Sequence, residues 1–253
     1  MIGPVTGLSP PLHSFTSCTH NFLNRYLYGE TDGPFVTQLD GQVNSHPSAR
    51  DPSVALLEKS EGLPFERHKL FLNVTQPANF SFWQVVLTIG VGTGNNSASS
   101  LRNRTMLPFT QSNDGNTTLN PQFTYSPGWH TNELWGVGPN GIAAYPREDT
   151  NQNGAYMTFK LDNASAFFIY GLVNYNLGLF SATLTPPYEL GQSVTTYYNS
   201  NAHWTNLDRV MYWASGMDRN KEYSVRIMNL GEDNMPWWVF SHIDIIDAGS
   251  TSR

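Results

Sequence analysis

The sequence predicts an all-β protein built from two tandem β-sandwich modules. Short runs of β-branched and aromatic residues, bounded by Gly, Pro, Asn or Asp, recur along the chain, as strands between turns do. Aromatic residues make up 13% of the 253 residues, and charged residues also make up 13%. This balance argues against a disordered chain and against a helical bundle, because the first is poor in aromatic residues and the second needs charged outer faces.

The strand pattern is clear in both halves of the chain. The segments that carry it are Phe35–Leu39, Lys69–Val74, Phe82–Ile89, Ala155–Phe159, Ala166–Tyr170, Leu179–Leu184, Tyr223–Met228 and Trp237–Phe240. Helix signals are sparse. Val54–Lys59 could form one helical turn, but the segment that corresponds to it in the second half indicates a strand.

The two halves are distant copies of one module. Tyr28-Gly29 in the first corresponds to Tyr170-Gly171 in the second, and Lys69–Val74 corresponds to Tyr223–Met228. The order of the corresponding segments is the same in both halves, which predicts two domains of one fold rather than a solenoid.

This repeat sets the predicted domain boundaries. We expect a first module over residues 1–92, a linker rich in Ser, Asn and Thr over 93–120, a second module over 121–249 and a tail at 250–253. Ser14–His20 is a poor strand candidate, so the first module is expected to lack its first strands. The hypothesis that follows is a truncated N-terminus that has lost a signal peptide.

Six Asn-x-Ser/Thr sequons indicate a secreted or cell-surface protein. They begin at Asn73, Asn79, Asn95, Asn103, Asn116 and Asn163, and glycosylation at such sites requires passage through a secretory pathway. Cys18 is the single cysteine, so no intramolecular disulfide can form. The first residues lack the basic and apolar regions of a signal peptide, and no apolar run is long enough to span a membrane.

The formal net charge of −6 provides no basic field for nucleic acid or anionic lipid. We therefore expect neither as a partner.

Several segments of the second half resemble modules of fungal secreted and cell-surface proteins that have a galactose-binding-domain-like β-sandwich. They are Tyr125–Trp129, Phe168–Gly171, Tyr212–Asp218 and Lys221–Gly231. The resemblance covers residues 121–249 well and 24–92 weakly. It implies tandem jelly-roll modules, and in a longer form of the protein it implies a membrane tether. It implies no function, because one fold hosts many.

The segment Thr195–Asn206 has the composition of a carbohydrate site. Aromatic rings stack on the apolar face of a sugar, while amide and imidazole groups hydrogen-bond its hydroxyls. The predicted binding residues are Tyr197, Tyr198, Asn201, His203 and Trp204, with Trp135 contributed by a separate loop. The alternative is that these aromatic residues cover the edge of the sandwich.

No metal, cofactor or catalytic site is predicted. Asp149–Gly154 matches the first half of a calcium loop, but Lys160 stands where a bidentate Glu is required. A polar hairpin turn is the better interpretation. The histidines are scattered, and the common catalytic and nucleotide-binding motifs are absent from the sequence. A glycoside-active enzyme would need a pair of carboxylates. The candidates in the sequence are Asp208, Asp218, Asp233, Asp244 and Asp247.

The leading hypothesis is therefore an extracellular, non-catalytic module that binds a glycan or cell-wall polysaccharide. A structural or protein-interaction ectodomain is the alternative, and a glycoside-active enzyme is the third.

Overall fold

The fold is known from a computed structural model of the chain. The structure describes residues 14–22, 24–46, 56–64, 66–74, 80–88, 101–111, 117–138, 141–187, 195–202, 205–232 and 235–248. The chain divides into two compact units, residues 1–90 and residues 91–253. All regular structure in the described ranges is β-strand, which confirms the all-β prediction. The described residues include no helix of the length and apolarity that a membrane span requires.

The first unit is a two-sheet sandwich. Its strands are β1 (Ser14–Phe22), β2 (Asn24–Thr31), β3 (Phe35–Leu39), β4 (Gln42–His46), β5 (Leu56–Ser60), β6 (Glu66–Val74) and β7 (Phe80–Thr88). One sheet has the order β1-β6-β3-β4 and the other β5-β2-β7, with antiparallel pairing. Its core takes side chains from both sheets: Leu27, Phe35, Leu57, Leu70 and Leu72.

Two segments of this unit bear on the sequence predictions. Leu56–Ser60 is a strand, as its counterpart in the second half indicates. Ser14–Phe22 is also a strand and pairs with β6, although its pattern is poor. The predicted loss of further strands before it stays a prediction.

The first unit contains a buried ion pair. Arg25 on β2 is fully buried, and its Nη2 donates to Glu58 Oε1 on β5 at 2.8 Å, while its Nε donates to Ser60 Oγ at 3.1 Å. Arg25 Nη1 and Glu58 Oε2 are buried and have no hydrogen-bond partner among the residues that the structure describes. Asn44 Nδ2 also donates to Glu58 Oε1 at 3.2 Å. Each of the two charges thus has one neutral hydrogen-bond partner beside the opposite charge.

A second charged contact lies at the β3–β4 turn. Asp40 and Gly41 have φ of 50° and 87°, as a tight two-residue hairpin requires. Asp40 Oδ2 lies 2.6 Å from His68 Nδ1, and Pro64 O lies 2.8 Å from His68 Nε2. A carboxylate oxygen and a carbonyl oxygen, both acceptors, thus face the two ring nitrogens of His68.

The second unit is a larger two-sheet sandwich. Its strands are β8 (Leu101–Met106), β9 (Phe109–Gln111), β10 (Thr117–Leu119), β11 (Phe123–Tyr125), β12 (His130–Gly138), β13 (Gly141–Thr150), β14 (Tyr156–Leu161), β15 (Ala164–Val173), β16 (Leu179–Thr185), β17 (Thr195–Asn199), β18 (Asn206–Ser215), β19 (Tyr223–Asn229) and β20 (Trp238–Ala248). The five-stranded sheet has the order β11-β14-β19-β16-β17. The six-stranded sheet has the order β12-β13-β20-β15-β18, with β8 paired to β20.

The linker prediction for residues 93–120 needs correction. β8 lies within this segment and pairs with β20 from Leu101↔Ala248 to Met106↔Ile243. Met106 is 3% exposed and joins the core of the second unit. The polar composition hid the strand, because few of its residues face the core.

The core of the second unit lies between its two sheets. Alternate residues of β14 and β19 face inward, as do those of β16. The largest buried side chains are Trp238, Tyr223, Phe159, Phe167, Phe180 and Phe240. The outward residues of the same strands are thereby fixed on two outer faces.

One end of this sandwich is closed by Asn229 and Gly231. Both belong to the segment that carries the family resemblance. Asn229 Nδ2 donates to Pro236 O at 2.7 Å, and Asn229 Oδ1 accepts from Gly231 N at 3.0 Å. A Cβ on Gly231 would lie 2.4 Å from Met235 O, so only glycine fits there.

The Asp149–Gly154 segment forms the end of β13 and a turn before β14, with Gly154 at φ 82°. The Asp149 carboxylate accepts from Asn132 Nδ2 at 3.0 Å and lies 3.0 Å from Arg147 Nε.

We expect Glu58→Ala to lower the free energy of unfolding of the first unit by about 3–5 kcal/mol, because Arg25 would keep a buried charge without a partner. Hydrogen exchange of the β2 amides in the full chain measures this. Glu61→Ala is the control, because Glu61 is exposed and bonds only surface groups. Equal losses of protection in the two variants would contradict the account.

Asp40→Asn tests the turn contact as a function of pH. Burial alone would raise the pKa of Asp40, but hydrogen bonds from His68 and the Lys69 amide outweigh it and lower the pKa. Asp40 therefore contributes stability that is present above the pKa of an unfolded aspartate, about 3.9, and that is lost as pH falls through its lower folded-state pKa. Exchange protection of β6 should fall in the variant near neutral pH and match the wild type in strong acid. A pH-independent loss would contradict this.

Candidate functional site

The outer face of the five-stranded sheet carries a row of side chains that crosses four strands. The register places Tyr156 on β14 opposite Met228 on β19, Met228 opposite Ser181 on β16, and Ser181 opposite Tyr197 on β17. Three inter-strand steps separate the two tyrosines, or about 14 Å. This row is here named the outer trough.

Burial along the outer trough shows its shape. Tyr197 is 70% exposed, whereas Ser181 beside it is 3% exposed. Met228 is half-buried, and Leu179, which precedes Ser181 by two residues on the same face, is 50% exposed. The small serine thus forms the floor, and the larger side chains of its cross-strand neighbours rise on either side.

Arg226 orders the β14 end of the outer trough. Its guanidinium carbon lies 4.0 Å above the ring of Tyr156, a cation–π contact that holds both side chains. Arg226 is exposed, so its outward N–H groups can donate to a ligand.

A second row of polar side chains runs beside the trough. It crosses the sheet from Thr158 through Arg226 and Thr183 to Thr195. The hydroxyls of Thr183 and Thr195 lie 2.8 Å apart. Neither row contains a carboxylate, and the two rows together offer two tyrosine rings, several hydroxyls and one guanidinium.

The loop before β16 is fixed against the segment after β17. Asn201 Nδ2 donates to Tyr175 O at 2.6 Å, and Asn174 Oδ1 accepts from Thr205 Oγ1 at 2.9 Å. Tyr175 is 68% exposed on this loop. It lies outside the cross-strand row that defines the outer trough.

The predicted binding residues divide into several groups. Tyr197 is exposed on the outer face, and Asn201 is an exposed residue that anchors a loop. His203 and Trp204 lie outside the described residues. Trp135 lies on β12, and its side chain is also outside them.

Tyr198 needs correction as a stacking residue. It follows Tyr197 on β17, so its ring faces the opposite side of the strand. There it stacks on the buried Phe180 with a centroid distance of 5.3 Å and contacts Tyr212 at 5.6 Å. The alternative interpretation, that an aromatic residue covers the core at this edge, is correct for Tyr198.

Sequence reasoning missed Tyr156, Arg226 and Met228. The alternation of β14 and β19 marks each of them as an outward residue. Their juxtaposition with Tyr197 depends on strand order and register, which no local pattern contains.

Three sequon asparagines lie in the described residues, and all are exposed: Asn73, Asn103 and Asn163. Asn163 occupies the turn between β14 and β15 with φ 55°. Asn79, Asn95 and Asn116 lie outside the described residues.

The described residues contain no group of three or more His, Cys, Asp and Glu side chains that could hold a metal ion.

Comparison with known proteins gives fold-level similarities. No protein-family model and no curated protein sequence matches the chain. One similar structure is the tandem CBM22-1–CBM22-2 domain of Paenibacillus barcinonensis Xyn10C, with a TM-score of 0.27 and 9% identity over 90% of this chain and 82% of that one. The extracellular domain of ANXUR1 from Arabidopsis thaliana has a TM-score of 0.33 and 11% identity over 92% and 82%. A Paenibacillus xanthan lyase has a TM-score of 0.31 and 8% identity over 96% and 26%.

These values assign neither a family nor a ligand to the chain. The resemblance to fungal surface modules stays a prediction.

Tyr197 and Tyr198 face opposite sides of β17, so substitutions at the two positions should differ in their effect on the free energy of unfolding. Tyr198→Ala should lower the free energy of unfolding of the second unit by about 2–4 kcal/mol, because it removes a ring packed on the core. Tyr197→Ala should change it by no more than about 0.5 kcal/mol, as for exposed sites. Hydrogen exchange of the β16 and β19 amides in the full chain measures both. A larger effect at Tyr197 would contradict the register.

Proposed function

We propose that this chain is an extracellular, non-catalytic carbohydrate-binding protein whose ligand lies across the outer trough. The observation that carries the proposal is the cross-strand row with Tyr156 and Tyr197 at its ends and the buried Ser181 between them.

The chemistry of the face fits a chain of sugar rings. A sugar ring can place its C–H face on an exposed tyrosine, and the exposed Tyr197 ring offers such a surface. Hydroxyl groups of the ligand can bond the hydroxyls of Thr183 and Thr195 and the guanidinium of Arg226. The length of the row, about 14 Å, suits a short oligosaccharide or a segment of a polysaccharide.

The absence of carboxylates from the two rows favours binding without hydrolysis. Glycoside hydrolysis uses a pair of carboxylates on either side of the scissile bond. Ligand affinity would come from stacking and hydrogen bonds, each of modest strength.

The exposed sequon asparagines support an extracellular location. Glycosylation requires an accessible asparagine, and Asn73, Asn103 and Asn163 meet this condition on different strands and turns. None of the three is a residue of the outer trough.

A glycan array tests the proposal, with glycosylated protein secreted from a eukaryotic host behind an added signal peptide. Selective binding to one class of polysaccharide is expected, and Tyr197→Ala should weaken it about tenfold or more, equivalent to 1.4 kcal/mol. Arg226→Met should also weaken it, because Tyr156 loses its cation–π partner and the ligand loses a donor.

Tyr175→Ala is the matched control, since Tyr175 is as exposed as Tyr197 but lies outside the row. Its affinity should equal that of the wild type. A folded wild-type protein that binds no glycan, or equal losses at Tyr175 and Tyr197, would contradict the proposed site.

A further inference from the structure

The outer face of the four-stranded sheet in the first unit carries a sequon asparagine on an inner strand. Asn73 lies on β6, and the register places it opposite Ser14 of β1 on one side and Val36 of β3 on the other. Its side chain is exposed, and Thr75 completes the sequon. A group attached to Asn73 would therefore lie on the sheet itself and not on a loop.

Apolar side chains surround Asn73 on this face. Phe71 precedes it by two residues on β6, so the two side chains point to the same side of the strand at a separation of about 7 Å. Val36 is the direct cross-strand neighbour, at a Cβ separation of about 5 Å. Both apolar side chains are half-buried. Val43 is 60% exposed and pairs with Gln38, which pairs with Phe71.

The ring of Phe71 can be reached from above the sheet. Lys69, which is exposed, places its Nζ 4.7 Å from the centroid of the ring. Such a cation–π contact at an exposed site is weak. The ring face is therefore open to another flexible group that approaches from the same side.

The corresponding row of the second unit is the outer trough. Strands β6, β3 and β4 are neighbours in the same order as β19, β16 and β17, and Phe35 and Phe180 are the matching core residues, each 1% exposed. The residue after each phenylalanine faces outward and pairs with Asn73 in the first unit and with Met228 in the second. The sequence repeat aligns Val74 with Met228 instead, one residue away, because strand pairing and not local composition sets the register. The first unit thus has a sequon where the second has the outer trough.

We propose that Asn73 carries an N-linked glycan whose first sugar packs on Phe71 and Val36. The inference shares one premise with the proposed function, namely an extracellular location. In the transfer, Asn73 Nδ2 forms a bond with the anomeric carbon of the first sugar. The bond from that carbon to the pyrophosphate of a lipid-linked oligosaccharide breaks, and one amide proton passes to the pyrophosphate.

The chemistry of the first sugar fits its surroundings. N-acetylglucosamine presents C–H groups on the faces of its ring and a methyl group on its acetamide. Phe71 and Val36 lie on the same face as Asn73 and within the reach of a ring attached to its side chain. Contact with them removes apolar area from water and stabilises the folded unit. The chain's own glycan would then cover the face that corresponds to the outer trough.

The test uses the full chain secreted from a eukaryotic host behind an added signal peptide. Peptide mass spectrometry should find Asn73 glycosylated. Hydrogen exchange of the β3 and β6 amides should be about fivefold faster in Asn73→Gln than in the wild type, the scale of a strong cross-strand pair. Trimming the glycans with an endoglycosidase that leaves one sugar should not change the exchange, because the first sugar makes the contact.

Phe71→Thr separates packing on the ring from other effects of a glycan. In that background, Asn73→Gln should change the exchange of β3 and β6 little. Asn103→Gln is the control, since it removes an exposed strand sequon from the second unit. Its β3 and β6 amides should exchange as in the wild type.

An unmodified Asn73, unchanged exchange in Asn73→Gln, or an equal effect of this variant with and without the Phe71 ring would overturn the proposal. If Phe71→Thr does not fold, NMR of the trimmed protein decides. Nuclear Overhauser effects are expected between the Phe71 ring and the first sugar, and their absence would overturn the packing. A blank glycan array would contradict the proposed function alone, because these measurements involve no added ligand.

Discussion

The packing of Trp238 between the two sheets is the contact on which both surfaces of the second unit depend. Its ring is fully buried and meets Trp129 at 5.6 Å, Phe180 at 5.6 Å and Phe240 at 6.3 Å. These contacts join β20 of one sheet to β16 of the other. Because side chains alternate along a strand, the inward position of Phe180 places Leu179 and Ser181 outward. The floor of the outer trough is therefore set by the core beneath it.

The two outer faces differ because their strands differ in regularity. The five-stranded sheet keeps an unbroken register through β14, β19, β16 and β17, so its outward side chains form straight cross-strand rows. The six-stranded sheet has bulges around Tyr170, which bring Ser241, Asp208 and His242 together. The regular sheet thus presents a long cross-strand row, and the bulged sheet brings Asp208 close to Ser241 and His242.

Local sequence patterns predicted the strands and one exposed aromatic residue of the outer trough. Tyr197 was found because aromatic and amide residues cluster around it, but the same cluster wrongly included Tyr198, whose ring belongs to the core. Composition also hid β8, since Met106 is the residue of that strand that joins the core cluster. The Tyr156–Arg226 pair and the contact of Asp208 with Ser241 could not be predicted, because each depends on which strands are neighbours and on where the register shifts. Neighbouring strands can be far apart in the sequence, so local patterns do not contain this information.

The most direct test of the central claim is a crystal structure of the full chain with the glycan that binds most strongly on the array. The account predicts a sugar chain that crosses β14, β19, β16 and β17, with one ring stacked on Tyr197 and a hydroxyl bonded to Arg226. A glycan bound elsewhere, with the outer trough empty, would contradict it.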